Sequence, residues 1–300
     1  MIRRYQYDHI TWVDIILPDA AEARAIMQEF SIDAAVAEEI IAPSPKPRID
    51  LYPTFLYLIL HFPAIRHSHS RDSAQEVDFI VSKNVLITVR YDTIDAIDEF
   101  AKEFEVNTIL KKSAIGEHAG FLFYLLVSKL YRALLRELEN MESALNAIEG
   151  RIFGGDERAM VEELSLASRE IIDFRRAVSY HDEILETLRA AGVLFFGKQF
   201  AYYLRSIKGE YRRVWDALEG KREYLQELRD TNDSILSAKQ NEVMKTFTIL
   251  AFVTFPLALI AEIFGFSPLA THPYAFYYIA GVILIGIVIM TFYFKHKRWL

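Results

Sequence analysis

Two long apolar stretches near the C-terminus constrain this sequence more than any other feature. Residues 246–267 and 274–294 are each roughly 20 residues long, which is about the length an α-helix needs to cross a bilayer's hydrocarbon core. The second stretch contains no charged residue, and the first contains only Glu262. Because the chain as a whole is 25% charged, its apolar excess is concentrated in these two stretches. The sequence predicts two transmembrane helices.

The charges that flank these stretches predict their orientation. Lys239 and Lys245 precede the first stretch, and Lys295, Lys297 and Arg298 follow the second. The connector, residues 268–273, has no Lys or Arg, so the positive-inside rule places both termini in the cytoplasm. The first residues are charged and form no apolar signal-peptide core. We therefore expect a multi-pass protein of the cell (inner) membrane, with membrane lipids around it.

Composition and motifs argue against several classes of function. The net charge is −7 and no basic stripe is visible, which argues against nucleic acid as a partner. The sequence has no glycine-rich phosphate loop, nucleophile elbow or zinc-enzyme helix motif, so we expect no enzyme and no cofactor. The absence of cysteine is compatible with a reducing compartment.

Residues 1–115 show the periodicities of strands and helices in alternation. Segments 10–17, 49–61 and 77–90 are rich in β-branched and aromatic residues and predict strands. Segments 19–30, 34–41 and 93–104 have helical spacing, with Asp19, Asp33 and Asp92 as candidate N-caps. This pattern predicts a compact cytoplasmic α/β domain with a mostly antiparallel sheet.

Residues 116–245 predict a domain of long helices, followed by the transmembrane domain at 246–300. Three charged amphipathic stretches, 121–152, 157–191 and 200–244, are separated by glycines at 154–155 and between 192 and 197. No proline follows position 200 before Pro256, so one helix of about 60 residues is expected to enter the membrane. A helix this long and charged needs neighbours, which suggests a coiled-coil bundle with other subunits.

Short motifs at both ends of the chain carry a resemblance to a known family. They are the segments 241–250, 255–257, 260–261 and 295–300 at the membrane end, and 12–14, 60–63, 76–80 and 85–89 nearer the N-terminus. The chain resembles the CorA family of divalent-cation channels over nearly its whole length. The resemblance implies an α+β cytoplasmic domain built as an α/β/α sandwich, a funnel of long helices and two transmembrane helices in a homopentamer. It also implies passive uptake of Mg2+, or of Co2+, Ni2+ or Zn2+, through a pore lined by the first transmembrane helix.

Two departures from the family pattern concern the ion. The family signature at the outer mouth is Tyr-Gly-Met-Asn, and here the same place reads Phe264-Gly265-Phe266-Ser267, so only the glycine is kept. Ser206 stands where many members have an aspartate implicated in a cytosolic metal sensor. Selectivity for Mg2+ and regulation by the ion are therefore the two family properties that this sequence leaves open.

One face of the predicted long helix carries candidate ion-path residues. Positions about seven apart share a face in a ring of parallel helices. This rule groups Asn241, Thr248, Phe255 and Glu262, and the same face continues toward the cytoplasm with Asp230, Ser234 and Ser237. The resemblance assigns Asp230 and Asn241 to the pore, and Phe255 to a hydrophobic constriction. Each has a simpler explanation: Asp230 and Asn241 as solvated helix positions, and Phe255 as a lipid-facing side chain.

Glu262 is the residue on that face with the strongest metal chemistry. An ionisable side chain inside a membrane usually faces a partner or a wet path, and five carboxylates around an axis would attract a divalent cation. We expect Glu262, and with less support Asn241, to contact the ion. The alternatives are that Glu262 reaches the headgroups or pairs with a neighbouring helix.

Two further groups of polar residues have both a functional and a structural explanation. Lys295, Lys297 and Arg298 form the stop-transfer cluster and, by resemblance, a basic ring around the ion path. His67 and His69 have metal-like spacing, but the sequence offers no third ligand nearby and the segment is serine-rich.

The function expected from the sequence is that of a CorA-type divalent-cation channel, with the ion as cargo and as a possible regulator. Two alternatives remain open at this point. One is a non-conducting membrane-anchored sensor or scaffold, and the other is a proton-coupled Zn2+ transporter acting through Glu262.

Overall fold

The computed structural model describes residues 1–64, 74–109, 116–265 and 274–297. It contains a six-stranded sheet followed by long helices. The strands are β1 (Ile2–Tyr7), β2 (Ile10–Ile16), β3 (Arg48–Leu51), β4 (Leu56–Pro63), β5 (Ala74–Val81) and β6 (Val85–Arg90). The helices are α1 (Ala20–Glu29), α2 (Ala34–Glu39), α3 (Asp95–Ile109), α4 (Ala119–Phe153), α5 (Glu157–Val178), α6 (His181–Phe196), α7 (Ala201–Gly265) and α8 (Ala275–His296).

The sheet has the strand order β1-β2-β6-β5-β4-β3. Only the β2–β6 pairing is parallel, which confirms the predicted mostly antiparallel sheet. The sequence analysis missed β1, whose residues are only partly buried and include two arginines. Charged residues on an edge strand obscure the alternating pattern while they protect the edge from unwanted pairing.

Both faces of the sheet are covered by helices. On one face, Val13, Ile59, Ile80 and other apolar side chains pack against α1 and α2. On the other, Trp12 of β2 contacts Phe100 of α3, and Phe79 of β5 contacts Phe123 of α4. Alternate residues of a strand point to opposite faces, so strands with both faces covered have few exposed positions.

The caps predicted for the first two helices are present. Asp19 accepts hydrogen bonds from the backbone N–H groups of Ala21 and Glu22 in a capping box. Asp33 accepts from Ala35 N at the start of α2. Asp92 accepts from Thr93 N, while α3 begins three residues later, at Asp95.

The stretch 157–191, predicted as one helix, is two helices. The helix is interrupted at Ser179 and Tyr180, and His181 at the start of α6 is fully buried. The His181 ring lies between the hydroxyl of Tyr131 and the carbonyl of His61, so the break places this side chain against two other elements. The interruption expected between 192 and 197 lies at the end of that range, because α6 continues through Gly192 to Phe196 and ends at Gly197, whose φ is 95°.

Gly192 instead permits close packing between helices. A Cβ atom at this position would lie 2.8 Å from Leu204 Cδ1 of α7. Along α7 the buried apolar residues recur at intervals of three, four or seven, which is the spacing of a packed helical seam. They are Leu204, Ile207, Tyr211, Val214, Leu218, Leu225 and Leu228.

The chain divides into two compact units, Met1–Leu228 and Arg229–Leu300. The first contains the sheet and the packed helices, and the second contains the apolar part of α7 together with α8. Helix α7 has 65 residues, close to the length predicted. The division into domains at 115 and 245 stays a prediction.

Candidate ion path

The five residues predicted to share a face of α7 lie on one continuous helix. At 100° per residue, Asp230, Asn241, Thr248, Phe255 and Glu262 fall within about 60° of one another around the axis. We call this set the α7 stripe. Thr248 is half-buried and the other four are exposed. The continuous helix through all five residues is present in the structure, whereas their role in ion passage stays a prediction.

The hydroxyl of Thr248 is held by its own helix. Its Oγ1 donates to the carbonyl oxygen of Met244 at 2.8 Å, and Thr246 and Thr254 make the same bond to residues four positions back. This bond uses the hydroxyl proton and leaves the oxygen lone pairs free to accept. Thr248 can therefore offer an oxygen ligand outward without leaving a polar hydrogen unsatisfied.

Pro256 frees a second oxygen near the stripe. A proline has no backbone N–H, so the carbonyl of Phe252 loses its intrahelical partner. Phe252 is about 40° around the helix from Thr248. The helix continues through Pro256 to Gly265, so this carbonyl remains part of a regular helix surface.

Glu262 lies in the last turn of α7 and is exposed. Within the described ranges its carboxylate has no hydrogen bond and no ion pair. Three residues before Glu262 lies Leu259, and one further turn back lies Phe255, whose side chain is 75% exposed. A charged group beside this much exposed apolar surface needs an aqueous or protein environment rather than lipid.

Helix α8 packs against a different side of α7. A Cβ atom at Gly286 of α8 would lie 3.4 Å from Leu257 Cδ2. Leu257 is about 160° around the helix from Phe255. The contact therefore leaves the α7 stripe uncovered by the described part of α8.

Large apolar side chains are exposed along both helices of the second unit. On α7 they include Phe247, Phe252, Leu259 and Ile263, and on α8 they include Leu284, Ile285, Val288, Ile289 and Phe292. Exposed apolar surface on this scale indicates burial in lipid or against partner helices. Among the described residues, one helix is long and apolar enough to cross a membrane, namely α7, and residues 280–296 form a shorter apolar helix.

Several predicted site residues lie partly or wholly outside the described residues. Phe264 and Gly265 end α7, and Phe266 and Ser267 of the degenerate signature fall outside. Lys295 and Lys297 are exposed at the end of α8, where cations favour the helix dipole, and Arg298 falls outside. His67 and His69 also fall outside. Ser206 is half-buried on α7.

The first unit contains buried polar clusters that the sequence analysis did not identify. Arg90 and Asp14 are fully buried, with Arg90 Nη2 2.8 Å from Asp14 Oδ2. Arg90 Nη2 also donates to Asp98 at 2.6 Å. Burial of Asp98 raises its pKa, but the hydrogen bonds from Arg90 and Arg3 outweigh this effect, so the pKa lies below the usual range. This network links β2, β6 and α3.

His181 is the second buried polar group. Its Nε2 is 2.9 Å from the carbonyl oxygen of His61, so Nε2 carries the proton and Nδ1 accepts from Tyr131 Oη at 2.9 Å. Burial lowers the pKa of His181 to about 3. The ring is therefore neutral and structural at physiological pH.

A third cluster surrounds Glu76 and Asp78 on β5, beneath the α2–β3 connection. Burial, followed by the nearby charge of Glu76, raises the pKa of Asp78 well above its usual range. The only signal in the sequence was the i, i+2 spacing of two acids within an otherwise apolar strand. In the described part of the chain, no group of three His, Asp or Glu side chains is placed to hold a metal ion.

Comparisons with known proteins agree with this fold. The family model described as "CorA-like Mg2+ transporter protein" matches residues 7–296. The cobalt/magnesium transport protein CorA of Thermotoga maritima is 25% identical over 297 residues, which are 97% of this chain and 83% of that protein. The protein of the same description from Methanocaldococcus jannaschii is 21% identical over 295 residues, which are 97% and 92% of the two chains.

Solved structures show the same architecture. The complete CorA magnesium transporter from Methanocaldococcus jannaschii matches with a TM-score of 0.85 at 20% identity, covering 99% of this chain and 93% of that one. The full-length CmaX protein matches with a TM-score of 0.77 at 17% identity, covering 97% and 89%. At these identities the structural matches establish the fold.

Proposed function

The chain belongs to the CorA-like Mg2+ transporter family, and on that premise we propose that it conducts a divalent cation passively through a pore lined by α7. The observation that carries the proposal is the α7 stripe. After position 246 the polar residues of α7 are Thr248, Thr254 and Glu262. Thr248 and Glu262 share a face with Asn241, whereas Thr254 lies about 120° from Thr248 and its hydroxyl bonds its own helix, and the shared face is not the one packed on α8. Polar groups on such a face favour a water-filled axis over lipid.

A ring of identical helices would turn this single stripe into a series of ligand rings. We propose a homopentamer, in which each stripe residue occurs five times around the axis. No cluster of metal ligands within one chain is then needed, because one carboxylate per subunit already gives five. Hard oxygen ligands of this kind suit Mg2+ and related divalent cations.

Two spans per subunit complete the proposed membrane domain. Helix α8 has 22 residues, about 33 Å at 1.5 Å per residue, which matches the thickness of a hydrocarbon core. Lys295 and Lys297 at its end favour the cytoplasmic side. We therefore place both termini, and the first unit, in the cytoplasm.

The membrane potential is sufficient to drive uptake. Moving one elementary charge through 100 mV is worth about 2.3 kcal/mol, so a divalent cation gains about 4.6 kcal/mol on moving inward. This figure corresponds to a gradient of more than a thousand-fold. Passive conduction therefore needs no nucleotide site.

Glu262 is proposed to recruit the ion in place of the asparagine that the family signature places nearby. A carboxylate ring attracts cations more strongly than an amide ring, and it selects less between hard and borderline metals. We therefore expect the ion preference to depend on this residue. The Thr248 oxygens and, toward the cytoplasm, Asn241 would form further rings below it.

Flux measurements in liposomes test the proposal. The full-length protein is reconstituted, and the uptake of Mg2+, Co2+, Ni2+ and Zn2+ is measured side by side under an inside-negative potential. Glu262→Gln removes one charge per subunit on the α7 stripe. Glu242→Gln removes the same charge about 120° from Thr248 around the same helix, and serves as the matched control.

We expect the wild type to conduct at least one of the divalent ions. In Glu262→Gln the flux of that ion should fall about tenfold, or the order of preference among the ions should change. Glu242→Gln should show the same flux as the wild type. A wild type that assembles as a pentamer yet passes none of the four ions would overturn the transport proposal. That result would favour a membrane-anchored sensor or scaffold. Flux of Zn2+ alone that requires a proton gradient would favour the proton-coupled alternative.

A further inference from the structure

Glu76 and Asp78 form a buried carboxyl pair in the sheet of the first unit. They are two residues apart on β5, so their side chains lie on the same face of the sheet. Asp78 is fully buried, and the side chain of Glu76 is 4% exposed. The pair lies on the face that packs against α1 and α2, beside the connection between α2 and β3.

One oxygen of each carboxyl group is well provided with hydrogen-bond donors. Glu76 Oε2 accepts from Ser44 N at 2.7 Å and lies 3.0 Å from His61 Nε2. Asp78 Oδ2 accepts from the hydroxyl of Tyr57 at 3.1 Å, and the hydroxyl oxygen of Tyr91 lies 3.4 Å from the same atom. These contacts account for half of the pair's oxygen atoms.

The other two oxygens have no donor. Glu76 Oε1 and Asp78 Oδ1 are buried and have no hydrogen-bond partner among the described residues. A buried polar atom without a partner destabilises a fold by about 1–3 kcal/mol, so native proteins contain few of them. The side chains of Asp78 and Glu76 are within hydrogen-bonding reach of each other. One proton placed between the two carboxyl groups would satisfy both oxygens at once.

No cation close to the pair compensates the charge that two ionised carboxylates would have, among the described residues. The titratable groups that face it are His61 and Tyr57 from β4 and Tyr91 after β6, with Glu39 of α2 and Arg48 of β3 further out. Arg48 is engaged by Glu39 and Asp50, and its guanidinium lies 5.8 Å from the centroid of the Tyr57 ring. No described lysine or arginine pairs with Glu76 or Asp78. Two ionised carboxylates would therefore repel each other in a site that water does not screen.

We propose that Glu76 and Asp78 bind one proton between them, as Asp78 Oδ1–H donating to Glu76 Oε1, and that loss of this proton at alkaline pH loosens the α2–β3 connection from the sheet. When the proton leaves to solvent, the pair gains one negative charge and no bond other than the O–H bond breaks. The same proton explains both unpartnered oxygens. It also leaves Glu76 ionised to hold Ser44 N and His61.

Two contacts join the pair to the α2–β3 connection. Ser44 N donates to Glu76, and the Tyr91 hydroxyl, which lies 3.4 Å from Asp78 Oδ2, donates to the carbonyl oxygen of Ile40 at 3.1 Å. Residues 41–47 include three prolines, so few backbone donors are available to hold this segment by other bonds. A repulsion that displaces Glu76 therefore acts directly on Ser44.

Infrared spectroscopy of the full-length protein in detergent tests the protonation. Aspartate labelled with 13C in its side-chain carboxyl group identifies the carbonyl band of a protonated aspartic acid. Asp78→Asn reproduces the protonated geometry, because an amide at Oδ1 donates to Glu76 while the amide oxygen still accepts from Tyr57. Asp216→Asn, at an exposed position on α7, is the control for a change of one charge.

At pH 7 we expect the labelled protonated-acid band in the wild type and in Asp216→Asn, and its loss in Asp78→Asn. The band should fade as pH rises. A wild type without this band at pH 7 would overturn the proposal, and so would a band that Asp78→Asn leaves in place.

Hydrogen exchange tests the link to the connection. Between Pro43 and Pro47 only Ser44 and Lys46 have a backbone N–H, so a peptide over this segment reports on very few amides. After correction for the intrinsic pH dependence, protection of this segment should fall about tenfold in the wild type across the pH range where the band fades. In Asp78→Asn it should stay constant. Equal changes in both proteins would overturn the proposed coupling, and neither measurement depends on ion flux.

Discussion

Acidification should destabilise the first unit through His181, and the size of the effect follows from its environment. The unfolded chain has an ordinary histidine pKa of about 6.5, and burial lowers the folded value to about 3. Below pH 6.5 the unfolded state therefore binds a proton at His181 that the folded state does not bind. The contribution of His181 to the free energy of unfolding is fully present above pH 6.5 and is lost progressively as pH falls toward 3. At about 1.4 kcal/mol per pH unit, the contribution lost at pH 5 is about 2 kcal/mol.

A pair of variants isolates this contribution from that of other titrating groups. His181→Gln combined with Tyr131→Phe keeps an N–H donor for the His61 carbonyl, removes the titration and leaves no unpaired hydroxyl. Tyr131→Phe alone keeps the buried imidazole and serves as the control. The free energy of unfolding is measured in urea for the full chain in detergent at pH 5 and pH 7.5, by fluorescence of the tryptophans, of which Trp12 is fully buried.

The wild type and Tyr131→Phe should lose about 2 kcal/mol more than the double variant between the two pH values. For each protein, the change in the free energy of unfolding between the two pH values also includes a contribution from surface carboxylates. This contribution is the same in all variants and cancels when they are compared. An equal pH dependence in the double variant and the wild type would show that the His181 environment does not exclude the proton, and would refute the reasoning.

Three further changes should have effects of predictable size. Arg90→Met leaves the buried carboxylate of Asp14 unpaired and should lower the free energy of unfolding by about 3–5 kcal/mol, and adding Asp14→Leu should recover most of the loss. Asp19→Ala removes the α1 cap and should lower it by about 1 kcal/mol in the same assay. Gly286→Leu should lower the thermal stability of the α7–α8 pair by disrupting its packing, whereas Gly281→Leu, at a position where an added Cβ meets nothing within 4 Å, should leave it unchanged.

The long helices and the α7 stripe could be predicted because their signals are local. Helical periodicity places Thr248 and Phe255 on one face, and this placement does not depend on contacts with the rest of the chain. Apolar length likewise identifies a membrane helix without any tertiary information. The caps at Asp19 and Asp33 were predicted for the same reason, since a cap involves only the next three residues.

The buried polar clusters could not be predicted because they depend on pairings distant in sequence. His61 lies opposite Glu76 only through the antiparallel register of β4 and β5, and His181 reaches the same strand from 120 residues away. The break before α6 also has no local signal, since the segment around Ser179 and Tyr180 contains neither proline nor glycine. Strand β1 was missed because its arginines mask the alternation that marks a strand.

The absence of cysteine in this chain permits the most direct measurement of the central proposal, that the α7 stripe lines a divalent-cation path. Single cysteines are introduced at Thr248 and Phe255 on the stripe and at Val253, which lies about 140° from Thr248 and about 160° from Phe255 around the helix. Divalent flux into liposomes is measured before and after treatment with a positively charged thiol reagent. Flux through Thr248→Cys and Phe255→Cys should be blocked, while Val253→Cys should be unaffected. Block at Val253 alone, or at none of the three positions despite complete labelling, would contradict the account.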